Sequence, residues 1–302
     1  MRDWISKRGQ PEDSLPLAEV RPIIFRTFGP KQGPITRLMS PSDLGQILKP
    51  FVFLDLFAID APVSRAMGLH PHSGIATVTV VAEGEVLFDD PEAGAGVIGY
   101  GGVEWMRSGQ GVWHGEELSI KVARLRAFQL WIALPPDLEN GPVDSQYLEA
   151  SAMPQCGPAT IIVGYYAGLR SPVRCHDGVN YLMVTLRSGE LWTYTPPLGH
   201  SVAWAALAKG SVKAGEPFEA GEMVAFEHGE GSIMFEATGP TDAIFVIGSA
   251  KPHLFPLEVG NHSVHSSSAA LTRGERRIAE LRSQALARET DSSASGNIAI
   301  IH

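Results

Sequence analysis

Short apolar segments broken by turn-forming residues are the feature that most limits the folds open to this chain. Glycine (32 residues) and proline (22 residues) together exceed their combined share in an average protein, which is about 12%. Regular short runs with turn signals between them are typical of all-β sandwiches and barrels. We therefore predict an all-β fold, whose first β-branched and aromatic runs lie at 22–27, 50–58, 75–82, 85–89, 103–107, 123–134 and 159–166.

Charge and cysteine content narrow the function classes. The formal net charge is −9, so we expect no basic surface for nucleic acid or for an anionic membrane. No apolar run approaches the roughly 18 residues of a membrane span, and the first residues lack the apolar core of a secretory signal. The two cysteines, Cys156 and Cys175, form neither a disulfide framework nor a metal-binding cluster. We predict a cytoplasmic location from these features.

A second β-rich series follows a segment, residues 135–158, that is rich in Pro, Gly and acidic residues and that we interpret as a linker. The two halves share weak similarities in the same order, such as VVAEGEV against ALAKGSV, which suggests an internal duplication. We predict an N-terminal lobe of residues 1–145 and a C-terminal lobe of residues 146–302. The runs of the second series lie at 179–187, 190–195, 201–207, 222–226, 232–237 and 241–249.

Residues 267–289 have a different pattern. Ser267 or Ser268 can cap a helix, and apolar residues then recur with helical spacing. We predict a helix packed on the sheet, followed by a loose tail. The apolar residues on one face are Leu271, Ile278, Leu281 and Ala285.

Two pairs of polar residues in the first half have the spacing of metal ligands. His70 and His72 are separated by one residue, which places both imidazoles on the same face of an extended strand. His114 and Glu116 have the same spacing. If the two strands are neighbours, three histidines and one carboxylate can converge on one cation, and this donor set suits divalent iron, manganese, nickel, copper or zinc. Two positions of an octahedral metal then remain for water, dioxygen or a chelating substrate.

This constellation occurs once when the halves are compared. At the offsets that align the two halves, the three histidines fall opposite Pro196, Leu198 and Met234. Glu116 alone keeps a counterpart, Glu236. The sequence therefore predicts a metal in the N-terminal lobe and a C-terminal lobe without one.

The segments that carry these residues, HPHSGIATVTVVAEGEV and GGVEWMRSGQGVWHGEE, resemble the pirin family. The segment RTFGPKQGP…LKPFVFLDLF resembles the opening of pirins, and GNHSVHSSSAALTRGERRIAEL resembles the end of a bacterial subgroup, so the resemblance covers most of residues 20–285. It implies a bicupin, with two cupin-type β-barrel lobes that face each other and one metal, usually iron, in the N-terminal lobe. The ligand pattern of the family falls on His70, His72, His114 and Glu116.

The chain departs from the family pattern at four positions near these motifs. Pirins usually carry Glu and Tyr where this chain has Ala76 and Val80, and Asp and Gln where it has Gly102 and Glu104. We expect these positions to surround the ligands, where side chains orient ligands and tune the metal. The departures should then affect the activity of the family more than its metal site.

The resemblance implies quercetin 2,3-dioxygenase activity as the leading hypothesis. It implies Fe(II) as the metal and a flavonoid-like small molecule and dioxygen as partners. Glu116 would be both a ligand and the catalytic residue that moves the hydroxyl proton of the substrate, with Glu117 and Glu104 as alternative bases. The alternative function is a metal- and redox-dependent regulator that binds a protein partner without turnover. An open cavity at the ligands favours the enzyme, and a sealed metal favours the regulator.

A few other residues receive weaker interpretations. Phe51 and Phe53 share one strand face, where they either line the pocket or pack in the core. His262 and His265, in NHSVHS, are interpreted as loop residues that make hydrogen bonds. His200 marks a less favoured, metal-free pocket in the C-terminal lobe.

Overall fold

The computed structural model describes residues 21–60, 63–90, 94–120 and 124–292. Within these ranges, the backbone alone is described at 63–69, 87–90, 94–95, 115–120 and 283–292. Most of the predicted tail, residues 293–302, lies outside the described residues.

The strands of the first half follow the predicted apolar runs closely, and one of them, at 103–107, coincides with its run. In chain order they are β1 (Ile23–Thr27), β2 (Lys31–Gln32), β3 (Ile35–Met39), β4 (Phe51–Ile59), β5 (Val63–His72), β6 (Ile75–Glu83), β7 (Glu85–Asp90), β8 (Gly94–Gly99), β9 (Val103–Arg107), β10 (Val112–Ile120), β11 (Leu125–Ala133) and β12 (Asp144–Leu148), with a short helix α1 (Leu44–Ile47) between β3 and β4.

The prediction of a linker at residues 135–158 is wrong at Asp144–Leu148, which form the strand β12. This strand, DSQYL, is half-buried throughout and pairs with β9 at the edge of a sheet. It lacks the apolar run by which a core strand is recognised, and for that reason its sequence resembles a loop.

The second half adds short hairpins and one long helix. Its elements are a 3₁₀-helix (Ala150–Ala152), β13 (Gln155–Cys156), β14 (Ala159–Val163), β15 (Tyr165–Tyr166), β16 (Leu169–Arg170), β17 (Val179–Leu186), β18 (Leu191–Tyr194), β19 (Val202–Lys209), β20 (Ser211–Ala214), β21 (Glu216–Glu219), β22 (Met223–Phe226), β23 (Ile233–Ala237), β24 (Ala243–Ala250), β25 (Glu258–Val259), β26 (Val264–His265) and α2 (Ser268–Ser292).

The described strands build four principal layers, which confirms the all-β bicupin architecture. The first half contributes a large sheet (β12-β9-β6-β11-β4-β3-β2) and a small one (β5-β10-β7-β8). The second half contributes a large sheet (β1-β22-β19-β24-β17-β14-β13) and a small one (β18-β23-β20-β21). Residues of both large sheets, including Leu54, Phe128 and Trp204, belong to one buried cluster. The two large sheets therefore meet in the centre of the molecule, and each small sheet covers the other face of its large partner.

The strand pairing crosses the predicted division between residues 145 and 146. The first strand, β1, hydrogen-bonds to β22 in the large sheet of the second half. The strand β12, which contains residue 145, belongs to the first half. The division itself stays a prediction.

The helix α2 confirms the helix predicted at 267–289. The Ser267 hydroxyl accepts a hydrogen bond from the backbone N–H of Ala270, as an N-terminal cap does. Ile278 and Leu281, on the predicted apolar face, are buried. Trp113, on β10, donates from its indole nitrogen to the carbonyl of Ile278 at 2.8 Å, so the helix packs against a strand that carries a predicted ligand. Among the described helices, none combines the length and the apolarity needed to cross a bilayer.

Candidate metal centre

Three histidines converge on the inner side of the small sheet of the first half. His70 and His72 lie on β5, and His114 lies opposite His70 on the neighbouring strand β10. Because the two strands are paired and side chains alternate along each of them, all three rings point to one side. Their centroids are 4.4 Å (His70–His114), 5.0 Å (His70–His72) and 5.2 Å (His72–His114) apart. One ring nitrogen from each lies within 4.8 Å of the others, so this triad could hold a metal ion.

The electrostatic environment keeps two of the imidazoles neutral. Burial, with the neighbouring His70, lowers the pKa of His72 to about 3. Burial and the two other histidines lower the pKa of His114 well below its usual value. A neutral imidazole is the form that binds a metal, because its unprotonated nitrogen offers a lone pair.

The hydrogen bonding also fits a metal site. The Nε2 atoms of His72 and His114 are buried and have no hydrogen-bond partner among the described residues. A buried polar atom without a partner is costly, and a cation bound between the rings would remove that cost. The Nδ1 atom of His72 lies 3.2 Å from the carbonyl oxygen of His262. Since a carbonyl can only accept, Nδ1 carries the proton and Nε2 is left free for a metal.

The fourth predicted ligand, Glu116, lies two residues beyond His114 on β10. Its backbone pairs with Met67, and the strand register shifts between His114 and Glu116. The extra residue of this irregularity lies on β5, where Met67 and His70 are three residues apart, while Glu116 and His114 are two apart on β10. The side chains of Glu116 and of the alternative base Glu117 lie outside the described part of the chain, and their roles stay predictions.

The four departures from the pirin pattern do not all surround the ligands. Ala76 and Val80 lie on the face of β6 that packs into the central core between the large sheets, so the expectation that they adjoin the metal is wrong. The reason is alternation, since a residue of β6 faces the small sheet only at odd-numbered positions, such as Thr77 and Thr79, in this part of the strand. Gly102 precedes β9 and lies against Ile98. Glu104 is buried, with 5% of its surface exposed.

The two phenylalanines predicted to share a face are separated by a register shift in β4. The ring of Phe51 contacts Trp204 in the central core, with centroids 5.4 Å apart. The ring of Phe53 stacks on Trp131 at 4.0 Å, and Trp131 meets the ring of His72 edge-on at 5.0 Å. Trp131 therefore adjoins the triad and Phe53 packs on Trp131, whereas Phe51 lies in the central core.

His262 is a residue of the site that sequence reasoning missed. Its ring centroid is 6.2 Å from that of His70 and 6.0 Å from that of His72, and the residue is exposed. The spacing NHSVHS gave no sign of this position, because the contact depends on how the chain returns from the second half.

His265, predicted to make hydrogen bonds, does so in the buried layer beneath the triad. Its Nε2 atom lies 2.9 Å from the hydroxyl of Ser73, the residue after His72. Its Nδ1 atom lies 3.5 Å from the carboxylate of Glu139. The segment before α2 is thus fixed directly against the strand that carries the metal ligands.

In the C-terminal lobe, His200 is also buried and hydrogen-bonded. Its Nδ1 atom lies 3.0 Å from the hydroxyl of Ser249, which in turn lies 2.7 Å from that of Tyr194. Among the described residues, histidine, cysteine or carboxylate side chains come close enough together to hold a metal at the triad of the first half, and His200 is not part of such a group.

Comparison with known proteins agrees with the resemblance to pirins. A family model described as Pirin matches residues 34–132. A Pseudomonas aeruginosa protein, provisionally named a quercetin 2,3-dioxygenase, is 32% identical over 197 residues, which cover 61% of this chain and 68% of that protein. A pirin-like protein of Caulobacter vibrioides is 37% identical over 122 residues, which cover 40% of this chain and 44% of the relative.

Solved structures show the same fold. The quercetin 2,3-dioxygenase of Acinetobacter baumannii superposes with a TM-score of 0.72 and 24% identity, over 87% of this chain and 96% of that one. The bacterial pirin YhhW of Escherichia coli, in complex with nickel(II), superposes with a TM-score of 0.56 and 18% identity, over 78% and 97% of the two chains. The sequence match, the bicupin architecture and the histidine triad agree, and the chain belongs to the pirin family.

Proposed function

We propose that the protein is a mononuclear metalloenzyme that opens the heterocyclic ring of a flavonol with dioxygen, in the manner of quercetin 2,3-dioxygenase. The observation that carries this proposal is the convergence of three imidazoles, two of which are buried and neutral with unpartnered Nε2 atoms. The relatives with quercetin dioxygenase names support the substrate class.

The residues that would hold the metal are His70, His72, His114 and Glu116. Fe(II) is our first choice, although manganese, nickel, copper and zinc accept the same donors, and one E. coli pirin is described with nickel(II). A divalent cation in this position supplies a Lewis acid that lowers the pKa of a coordinated hydroxyl group and orients it for reaction. We assign the metal to the N-terminal lobe, residues 1–145, and none to the C-terminal lobe, residues 146–302.

The protein itself would contribute orientation, a dry environment and a proton acceptor. The carbonyl of His262 holds His72 in the tautomer that leaves Nε2 free. Trp131 and Phe53 form an aromatic wall beside His72 that excludes water and suits a planar ligand. Glu116 would accept the hydroxyl proton of the flavonol.

We also infer a cytoplasmic location from the free cysteines, because free thiols are the rule in reducing compartments. Cys156 and Cys175 are both unpaired. Burial raises the pKa of Cys175 to about 12, so its thiol stays protonated and inert.

The second candidate is a metal-dependent regulator that binds a protein partner without turnover. One observation favours it: the strand of the ligands is hydrogen-bonded to the segment that leads into the C-terminal helix, through His72–His262 and Ser73–His265. A change in the oxidation state of a bound iron could then reach the surface of α2.

The deciding experiment reconstitutes the protein anaerobically with Fe(II), adds quercetin and measures dioxygen consumption and carbon monoxide release. His114→Ala should lose both the bound iron and the turnover, whereas His228→Ala, which changes an exposed histidine, should lose neither. Metal content by mass spectrometry is read in parallel. A wild-type protein that binds one iron per chain and consumes no dioxygen would exclude the enzyme and favour the regulator.

A further inference from the structure

A row of polar side chains crosses five strands on the inner face of the large sheet of the first half. The strand register places Glu104 opposite Thr79, Thr79 opposite Gln129, Gln129 opposite Asp55, and Asp55 opposite Arg37. Residues directly opposite each other on antiparallel strands face the same side of a sheet. We call these five residues, Arg37, Asp55, Gln129, Thr79 and Glu104, the polar row.

The polar row faces the small sheet that carries the histidines. Phe57 is two residues from Asp55 on β4, and Ala127 is two residues from Gln129 on β11. Both cluster with Val86 and Ile98 of β7 and β8. The alternate residues of these strands, such as Leu56 and Phe128, belong instead to the central core. The polar row therefore lies inside the N-terminal lobe.

Within the sheet, the polar row is partly exposed at Thr79. Thr79 is half-buried, although it sits in the middle of β6, a strand with neighbours on both sides, and although Val78 and Val80 are fully buried. Gln129 has 9% of its surface exposed. In the second half, aromatic side chains including Phe226, Phe235 and Phe245 fill the equivalent layer with 0% exposure. The first half carries hydrogen-bonding groups where the second half has a packed apolar core.

One end of the polar row reaches solvent through Arg37. Its guanidinium hydrogen-bonds both oxygens of Asp55, with Nη2 to Oδ2 at 3.2 Å, and lies 3.9 Å over the ring of Phe53. The Arg37 side chain is 41% exposed and that of Asp55 only 5%. This ion pair holds a carboxylate inside the lobe, at a point where a ligand can approach it from outside.

Aromatic side chains connect the polar row with the triad. Trp131, which contacts His72, lies two residues from Gln129 on β11, or about 7 Å along the strand. Phe53 lies two residues from Asp55 on β4 in the same way. The stacked pair Phe53–Trp131 therefore separates the metal ligands from the polar row and forms an aromatic surface between them.

We propose that the polar row binds the hydroxyl groups on the part of the flavonol that extends away from the metal, and so selects polyhydroxylated flavonols over those without these groups. The carboxylates of Asp55 and Glu104 accept from phenolic hydroxyls, and Thr79 and Gln129 can both donate and accept. The aromatic rings of the ligand contact the pair Phe53–Trp131. This inference rests on the proposed function, since it needs the 3-hydroxyl group of the flavonol at the metal.

The test compares two flavonols that share the metal-binding hydroxyl and carbonyl groups. Quercetin carries four further hydroxyl groups, and 3-hydroxyflavone carries none. Their dissociation constants are measured anaerobically with the metal-loaded protein by calorimetry. We expect quercetin to bind at least tenfold more tightly, which corresponds to about one net hydrogen bond.

Substitutions in the polar row then test whether these residues cause the tighter binding of quercetin. Thr79→Val and Gln129→Met keep the volume of each side chain and remove its hydrogen bonds. Each should weaken quercetin about tenfold and leave 3-hydroxyflavone unchanged, whereas Thr193→Val, on an exposed position of β18, should change neither. Metal content and thermal unfolding verify that the variants are intact.

The outcomes separate the two proposals. Equal affinity of the wild type for both flavonols, or a quercetin preference that survives both substitutions, overturns the polar row and leaves the proposed function standing. Absence of binding by either flavonol to the metal-loaded wild type overturns both.

Discussion

The Nδ1–H of His72 donates a hydrogen bond to the carbonyl oxygen of His262 at 3.2 Å, although 190 residues separate the two along the chain. The backbone of His262 reaches this position with a positive φ of 65°, a conformation that glycine and asparagine adopt readily and β-branched residues do not. The metal-binding tautomer of His72 therefore depends on the local conformation of a distant loop.

Substitutions at residue 262 should separate the backbone from the side chain. We expect His262→Val to weaken metal affinity roughly 10- to 100-fold, the usual effect of losing a group that orients a ligand, because valine resists the positive φ and displaces the carbonyl. His262→Gly keeps the conformation and should bind metal nearly as the wild type does. Calorimetric titration of the metal-free protein with Fe(II), Zn(II) or Ni(II) measures the difference. Equal affinities for the two variants would show that the carbonyl does not orient His72.

Replacing Gly274 in α2 with alanine should destabilise the protein, although alanine favours helix formation more than glycine does. Alanine normally stabilises the interior of a helix by about 1 kcal/mol relative to glycine. At Gly274, however, an added Cβ would lie 2.5 Å from the Ser73 hydroxyl and 2.6 Å from Nε2 of His265. We expect Gly274→Ala to lower the melting temperature and to weaken metal binding, since Ser73 adjoins His72. Arg276→Ala, at an exposed position of the same helix, is the matched control and should not lower either quantity.

The carboxylate of Glu139 should contribute to stability through the start of the helix. It accepts hydrogen bonds from the backbone N–H of Ser266 at 2.6 Å and from its hydroxyl at 2.8 Å, in a position with 2% exposure. Glu139→Gln turns one acceptor into a donor, and we expect the free energy of unfolding to fall by about 2 kcal/mol. Urea denaturation measures this value, with Glu230→Gln at an exposed site as the control. An unchanged midpoint would mean that the amide preserves the contact.

His253 should make the protein less stable in mild acid. Burial, with the neighbouring Lys49, lowers the pKa of His253 to about 4. Between that value and the usual 6.5, the unfolded chain binds a proton that the folded chain does not, so this contribution to stability is lost as the pH falls. His253→Gln should therefore reduce the drop in melting temperature between pH 7.5 and pH 5 by about 2 to 4 °C, which corresponds to roughly 1 kcal/mol in a chain of this length. Parallel melting curves for wild type and variant would contradict this assignment.

The sequence predicted those parts of the fold and site that depend on local spacing. The pairs at His70/His72 and the motif at His114 could be recognised because alternation along a strand fixes which side chains share a face. The same rule failed where the chain departs from regular pairing. A register shift in β4 separates Phe51 from Phe53, so these two residues do not share a face.

Contacts between distant segments were beyond the reach of local patterns. His262 comes to the triad through the path of the whole second half, and nothing in its neighbourhood encodes that path. The polar row likewise became visible only with the strand register, because its five members come from five different strands.

The pairing of β1 with β22 has a consequence for the order of folding. A ribosome releases Ile23–Thr27 long before Met223–Phe226, so the first strand must wait until most of the protein has been made. Contacts so distant in sequence slow folding. A fragment that began at residue 146 would lack this strand and would present the edge of β22 to other chains, which invites aggregation. Arg26 and Glu222, joined at 2.6 Å, lie on the same pair of segments, so a cut at the predicted lobe boundary would divide one sheet between two fragments.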